Sequence, residues 1–292
     1  MSSPSTEARI LEAKRHLESR GLEVVLAPNL FERGPRSYLA GTDDERVSVA
    51  NRFLRDPSFD LYLFARGGYG AMRILPEIDF EAIAENPRPI IGFSDLTALH
   101  QAVARESGVV TFHGPMLNLD FHDRLSQQRE AWFWSMLHGE APLEHRFESS
   151  QVVAEGSASA VLFGGCLSLT AALIGTPYDF WVDGGIWFWE EVDEPVYRID
   201  RMLTHLRLSG RLSRLRGVVI GKLKDCGEAD SGELDSLIAE TFRNLGIPVV
   251  RDLPFGHHGD NLLLPVGVPA HLDTRQLTLS FTEPVVAPLV AE

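Results

Sequence analysis

Pro89-Ile90-Ile91-Gly92-Phe93-Ser94-Asp95-Leu96-Thr97 is the stretch on which the reading of this chain turns. A short β-branched run ends at Gly92, and the spacing of Leu96, Ala98, Leu99 and Val103 beyond it is helical. Ser94 therefore stands at a sharp strand-to-helix turn, with its hydroxyl exposed beside backbone N–H groups. A nucleophilic serine needs that geometry. The usual elbow reads G-x-S-x-G, and position 96 here is leucine, so Ser94 taken alone also reads as an ordinary helix N-cap.

Outward from this turn, helical and extended patterns alternate. Ser5 is placed to cap a helix carrying Ile10, Leu11 and Leu17, which Gly21 stops. Thr42 and Glu45 form a T-x-x-E capping box before Val47, Val49, Ala50, Phe53 and Leu54. Leu22–Leu26, Asp60–Ala65, Pro89–Ile91 and Val109–Phe112 are short apolar runs without alternation. Such runs, separated by helices, predict a parallel sheet buried on both faces. An amphipathic segment around Glu130–Leu137 closes this half, and residues 139–151 lose the pattern. The expected organisation is an N-terminal α/β domain over 1–138, a connection over 139–151, and a C-terminal domain over 152–292. The latter reads as strands at Ala158–Phe163, Gly185–Trp189, Gly217–Gly221, Val249–Val250, Leu262–Leu264 and Gln276–Phe281. Helices are expected over Leu167–Ile174, about Val196 to Leu208, and around Leu234–Leu245.

At 292 residues with 44% apolar content, the chain is long enough for one large or two ordinary domains. The net charge of −14, with no basic run, argues against a nucleic-acid partner. No apolar stretch is long enough to span a membrane, and the start has no signal-peptide pattern. Two cysteines, Cys166 and Cys226, supply neither a disulfide framework nor metal spacing, which points to a reducing cytoplasm.

Three places carry chemistry. Ser94 is the first. The second is Arg66-Gly67-Gly68-Tyr69-Gly70, directly after the strand Asp60–Ala65, where adjacent glycines allow close backbone approach and aim N–H groups into a concavity. A dinucleotide loop is the rival reading, but G-G-x-G lacks the G-x-G-x-x-G spacing. Loops at the carboxyl ends of parallel strands share one crevice, so this segment and Ser94 are expected to face each other. The third place is split. Glu190 ends the aromatic strand Ile186–Trp189, where an acid can orient an imidazole, whereas Glu191, Asp193 and Glu194 read as solvated carboxylates. Phe255-Gly256-His257-His258-Gly259 offers two glycine-flanked histidines as general base, and the pattern does not choose between them. His113 follows a strand and is a candidate for the same crevice, and Arg198 for holding a substrate carboxylate.

Taken together, these residues resemble a known family. Arg66–Gly70, Ile91–Ala98, His113-Gly114-Pro115-Met116, Gly164-Gly165, Gly175-Thr176-Pro177, Trp189–Glu194, Tyr197–Leu203 and Phe255-Gly256-His257 follow the order of the LD-carboxypeptidases, from about Ser3 to the C-terminus. The resemblance implies a serine peptidase with Ser94 as nucleophile, Glu190 as acid and His257 as base. It implies an N-terminal parallel-sheet α/β domain carrying the nucleophile and a smaller, β-rich C-terminal domain carrying the acid and base. The N–H groups of Gly68 and Asp95 are the implied oxyanion donors, with Arg66, Gly67, Tyr69, His113 and Arg198 around the substrate. The substrate implied is the murein tetrapeptide, cut to release terminal D-alanine, by a cytoplasmic homodimer that requires no metal or organic cofactor. Such chains usually open with an apolar strand; Met1–Ser5 reads as the turn after it, so either the start is assigned late or the first sheet is a strand short.

Two other readings stand beside this one. A relative resembling the microcin C immunity peptidases would cleave aminoacyl- or peptidyl-sulfamoyl adenylates and needs an aromatic side chain to stack on adenine, for which Trp181 and Trp187 are the candidates. A non-catalytic binding module on the same fold is the other.

Overall fold

The buried apolar runs form parallel strands in both halves of the chain. The computed structural model describes residues 1–123, 125–227 and 232–287. In the first half, β1 (Tyr62–Leu63), β2 (Ile90–Gly92) and β3 (Thr111–His113) pair in that order, all parallel. The strands that follow are β4 (Leu143–Arg146), β5 (Val152–Ala154), β6 (Ser157–Cys166), β7 (Ile186–Val192), β8 (Gly217–Lys224) and β9 (Val249–Leu253), then β10 (Leu264–Val266), β11 (Val268–Asp273) and β12 (Thr278–Phe281). Among the described residues they make a four-stranded sheet, β1-β2-β3-β10, and an eight-stranded sheet, β4-β12-β11-β6-β7-β8-β9-β5. The centre of the larger sheet, β6 to β9, is parallel, and antiparallel strands flank it.

Helices α1 (Glu7–Ser19), α2 (Asp43–Leu54), α3 (Ala71–Ile74), α4 (Phe80–Glu85), α5 (Thr97–Glu106) and α6 (Gln127–Leu137) belong to the first half. The second half adds α7 (Leu167–Leu173), α8 (Val196–Leu208) and α9 (Glu233–Phe242). No helix among the described residues is long and apolar enough to cross a membrane. The Thr42–Glu45 capping box forms in both directions at the start of α2. At α1 the N-cap is Thr6 rather than Ser5, with no side-chain bond; the Ser5 N–H instead donates to the Leu30 carbonyl at 2.8 Å.

Two expectations are corrected by strand pairing. Leu22–Leu26 forms no strand and joins neither sheet among the described residues, where β1 is an edge strand. Residues 139–151 are not merely a connection: β4 lies within them and pairs with β12. The chain also crosses back, since β10 follows β9 of the large sheet yet pairs antiparallel with β3 of the small one, Leu264 opposite His113.

This return fuses the halves into one core. A single buried cluster joins Ile91 and Phe112 of the small sheet to Phe188 and Val219 of the large one and to Phe255 just beyond it. A polar link reinforces the apolar one. Thr97, fully buried at the start of α5, accepts the Cys166 N–H at 2.9 Å, and Gly165 leaves the space its side chain fills. Thr97→Val keeps the shape but removes the acceptor and leaves a buried N–H unpaired. The expected loss is about 1–3 kcal/mol of unfolding free energy, read as a lower urea midpoint with an unchanged m-value.

Candidate active site

Ser94 has φ of +63°, a left-handed backbone that a non-glycine residue adopts only under constraint. The constraint is visible in its neighbours. β2 ends at Gly92, Phe93 is extended and fully buried, and a single tight turn over Ser94–Leu96 leads into α5. The side chain makes no cap to this helix, so the N-cap reading of Ser94 does not hold. The fold holds the serine at a sharp strand-to-helix corner, with its hydroxyl facing Gly67.

Asp95 makes that corner rigid. Its carboxylate, 2% exposed, accepts the Ser2 hydroxyl at 2.5 Å and the Ala71 N–H at 2.9 Å. The second bond ties the elbow to the end of the glycine loop. Gly67 lies directly on the serine: a Cβ placed there would be 2.8 Å from Ser94 Cβ and 2.9 Å from Oγ. The Ser3 side chain packs as closely on Gly68 and accepts the Tyr69 N–H at 3.3 Å. Close approach requires these glycines, and the groups that approach are the side chains of Ser94 and Ser3.

The acid and the imidazole meet across the top of the large sheet. Glu190 lies within β7, two residues before its end and with no exposed surface, and its Oε2 lies 2.7 Å from His257 Nδ1. The same oxygen accepts the His257 backbone N–H at 3.2 Å. Gly256 permits the contact, because at φ of +95° a Cβ would sit 2.4 Å from that carboxylate oxygen. Asn261, also buried, accepts the Gly256 N–H at 2.9 Å and shapes the loop from beneath. His258 is exposed, so the choice between the two histidines falls on His257.

Phe93 carries the elbow to the imidazole. Its ring meets that of His257 edge-on at 4.9 Å between centroids, so the residue before the serine touches the imidazole itself. Burial works against a charged His257, but the charge and hydrogen bond of Glu190, helped by Glu191 and Asp120, outweigh it and raise its pKa above the ordinary 6.5. With Nδ1 committed to Glu190, Nε2 is the nitrogen left to exchange a proton.

The remaining predicted residues divide. Arg66 donates to the Pro4 carbonyl at 3.1 Å and braces the N-terminal segment. Tyr69 is half exposed beside the glycine loop, edge-on to Tyr38 at 5.8 Å. His113 is fully buried, ringed by Phe93, Phe188 and Phe255, and burial holds its pKa well below 6.5. It packs under the site as a neutral ring and lines no crevice. Arg198 lies exposed on α8 with Glu194 at 3.3 Å, on the outside of the helix rather than at Glu190. Glu191 is buried, not solvated: it accepts the Ser168 N–H at 2.7 Å, and burial raises its pKa. Trp187 is fully buried, and Trp181 packs on Phe163 with Arg211 over its ring, so neither offers a free face to a base.

One residue escaped the sequence reading. Asp120 lies in a π-helical turn over Leu117–Phe121, 4% exposed, with Met116 N–H donating to it at 2.8 Å. Burial raises its carboxyl to about 6, and the charge of His257 acts on it. A lone aspartate in an apolar stretch gives no sequence signal; the π-turn that aims it is visible only in coordinates.

The comparisons with known proteins place the chain in a family. Residues 1–114 match the family model for the LD-carboxypeptidase N-terminal domain, and 159–272 that for the LD-carboxypeptidase C-terminal domain. The chain belongs to the LD-carboxypeptidase family. It is accordingly a peptidase. A Streptomyces coelicolor protein is 38% identical over 289 residues, covering 98% of this chain and 92% of its own. The murein tetrapeptide carboxypeptidase of Pseudomonas aeruginosa is 31% identical over 283 residues, covering 92% and 90%. Among solved structures, the microcin C7 self-immunity protein MccF shares the fold, with a TM-score of 0.88 over 98% of this chain and 95% of its own, at 22% identity.

Gly67→Ala tests the packing of this LD-carboxypeptidase site on Ser94. A methyl group 2.9 Å from Oγ should displace the hydroxyl. Hydrolytic kcat/KM should fall by about 10²-fold while the thermal midpoint stays within a few degrees.

Proposed function

We propose that this chain is a serine carboxypeptidase that cuts the amide between an L-configured centre and a terminal D-alanine in murein tetrapeptide. The observation that carries the reading is the 2.7 Å His257–Glu190 bond, made by an imidazole that also touches the residue before a left-handed serine. The substrate class is supported by the murein tetrapeptide carboxypeptidase relative.

In this reading His257 Nε2 takes the Ser94 proton as Oγ attacks the scissile carbonyl. Glu190 fixes the tautomer through Nδ1–H and stabilises the imidazolium. The N–H groups of Asp95 and Gly68 receive the developing oxyanion, each worth roughly 3 kcal/mol in the transition state. The imidazolium then protonates the leaving amine and D-alanine departs. A water, deprotonated by the same imidazole, attacks the Ser94 ester and restores the hydroxyl. Every proton passes through one ring nitrogen. Two unpaired cysteines suit a reducing cytoplasm, and the family resemblance adds a homodimer.

Mass spectrometry of a murein tetrapeptide digest should show alanine release by the wild type and none by Ser94→Ala. A serine-directed phosphonate should label the wild type alone. Turnover confined to an aminoacyl-sulfamoyl adenylate would replace the substrate assignment, and labelling or turnover by Ser94→Ala would overturn the nucleophile.

The pH profile tests Glu190. The base works when neutral, so kcat/KM should rise with pH through a pKa above 6.5. Glu190→Gln removes the charge that raises this pKa and leaves the burial that lowers it. The ascending limb should then move to lower pH, with kcat reduced by about 10³–10⁴-fold.

A further inference from the structure

We propose that Lys222 is the subsite for the free α-carboxylate of the departing residue, and so confines the site to the last bond of a peptide. It rests on the proposed hydrolysis of murein tetrapeptide and adds to it the group that reads the peptide's end. Three buried carboxyls, Glu190, Glu191 and Asp120, lie within electrostatic reach of the imidazole. A substrate anion enters such surroundings only against a cation.

The arginines around the site are committed elsewhere. Arg66 donates to the Pro4 carbonyl, Arg129 to the Asp260 carbonyl, and Arg198 pairs with Glu194 on the outside of α8. Lys222, on β8, is half-buried, and no hydrogen bond or ion pair engages its ammonium among the described residues.

A β-bulge turns it toward the site. β7 and β8 pair with Trp189 opposite Ile220 and Glu191 opposite Leu223, so Glu190 alone faces two residues, Gly221 and Lys222. Ile220 and Leu223 both pack into the apolar cluster that holds Trp187 and Trp189. Strict alternation cannot put residues three apart on one face; the extra residue of the bulge does. Gly221 faces the other way, where a Cβ would lie 2.7 Å from the Phe255 ring. Lys222 turns with it, to the face of the sheet that carries Glu190.

Its backbone sets its distance from the base. The Lys222 N–H donates to the Phe255 carbonyl at 3.3 Å, two residues before His257. In the proposed reaction the imidazolium protonates the leaving amine, so the departing residue lies beside that ring. Its carboxylate is one carbon away from the amine. A flexible four-carbon stem rooted next to the base loop carries an ammonium to that place. Lysine serves there as a point charge and needs no bidentate fit.

The test compares the tetrapeptide with its C-terminal carboxamide on the full chain. The wild type should favour the free acid by about 10²-fold or more in kcat/KM. Lys222→Met should bring the two substrates within a few-fold of each other, by raising KM for the acid far more than it changes kcat. Lys222→Arg should keep the preference, and Lys222→Glu should reverse it. Both substrates meet the same active molecules, so their ratio is independent of how much of a variant folds. An unchanged ratio in Lys222→Met, or a wild type indifferent to amidation, would overturn the subsite and leave the peptidase reading standing. A wild type that turns over neither substrate would overturn the murein tetrapeptide assignment and the subsite together.

Discussion

The hydrogen bond between His257 Nδ1 and Glu190 is the interaction around which the rest is organised. Glu190 is fully buried, and its second carboxylate oxygen has no hydrogen-bond partner among the described residues. A carboxylate so placed is costly unless a cation or strong donor answers it, and the imidazole is the group in reach. That demand explains the local architecture. The acid is carried by the buried part of a central strand, which cannot shift without breaking parallel ladders on both sides. The imidazole is carried by a loop whose glycine permits the approach and whose asparagine fixes the glycine.

The serine obeys a different constraint. Its positive φ is strain, and strain persists only where the surroundings over-determine it. Three groups do so: Gly67 against the side chain, Phe93 locked in the aromatic cluster, and the Asp95 carboxylate holding the glycine-loop end and the N-terminal segment together. Asp95 therefore has a side-chain task, bracing the corner, that is separate from any role of its N–H.

Much of this was legible in residues. Ser94, Glu190 and the glycine loop stood out because each breaks its local pattern: a serine between strand and helix, an acid ending an aromatic strand, paired glycines after an apolar run. His257 could not be separated from His258, since both sit in the same flexible-looking loop and only the reach of Glu190 distinguishes them. His113 and Glu191 misled for a common reason. Periodicity marks where a strand ends but not whether another layer covers that end, and both residues are covered by elements distant in sequence. Leu22–Leu26 was read as a strand from its composition, but a strand needs a neighbour as well as a propensity.

What sets the distance between serine and imidazole is the path of the chain after β9. The loop that carries His257 leaves the large sheet at Leu253 and enters the small sheet at Leu264, opposite His113 and one strand from the serine-bearing β2. It is anchored at each end to a different sheet. Thr97, three residues beyond the serine, binds Cys166 of β6 from the other direction. Two sheets cross-linked in both senses cannot slide apart without breaking ladder bonds and opening their shared core. Elbow and base are therefore positioned by backbone pairing, and the side chains between them, Phe93 above all, fill a spacing already fixed. That division of labour suits the proposed proton transfer between Ser94 and His257, which are held on opposite halves of one chain.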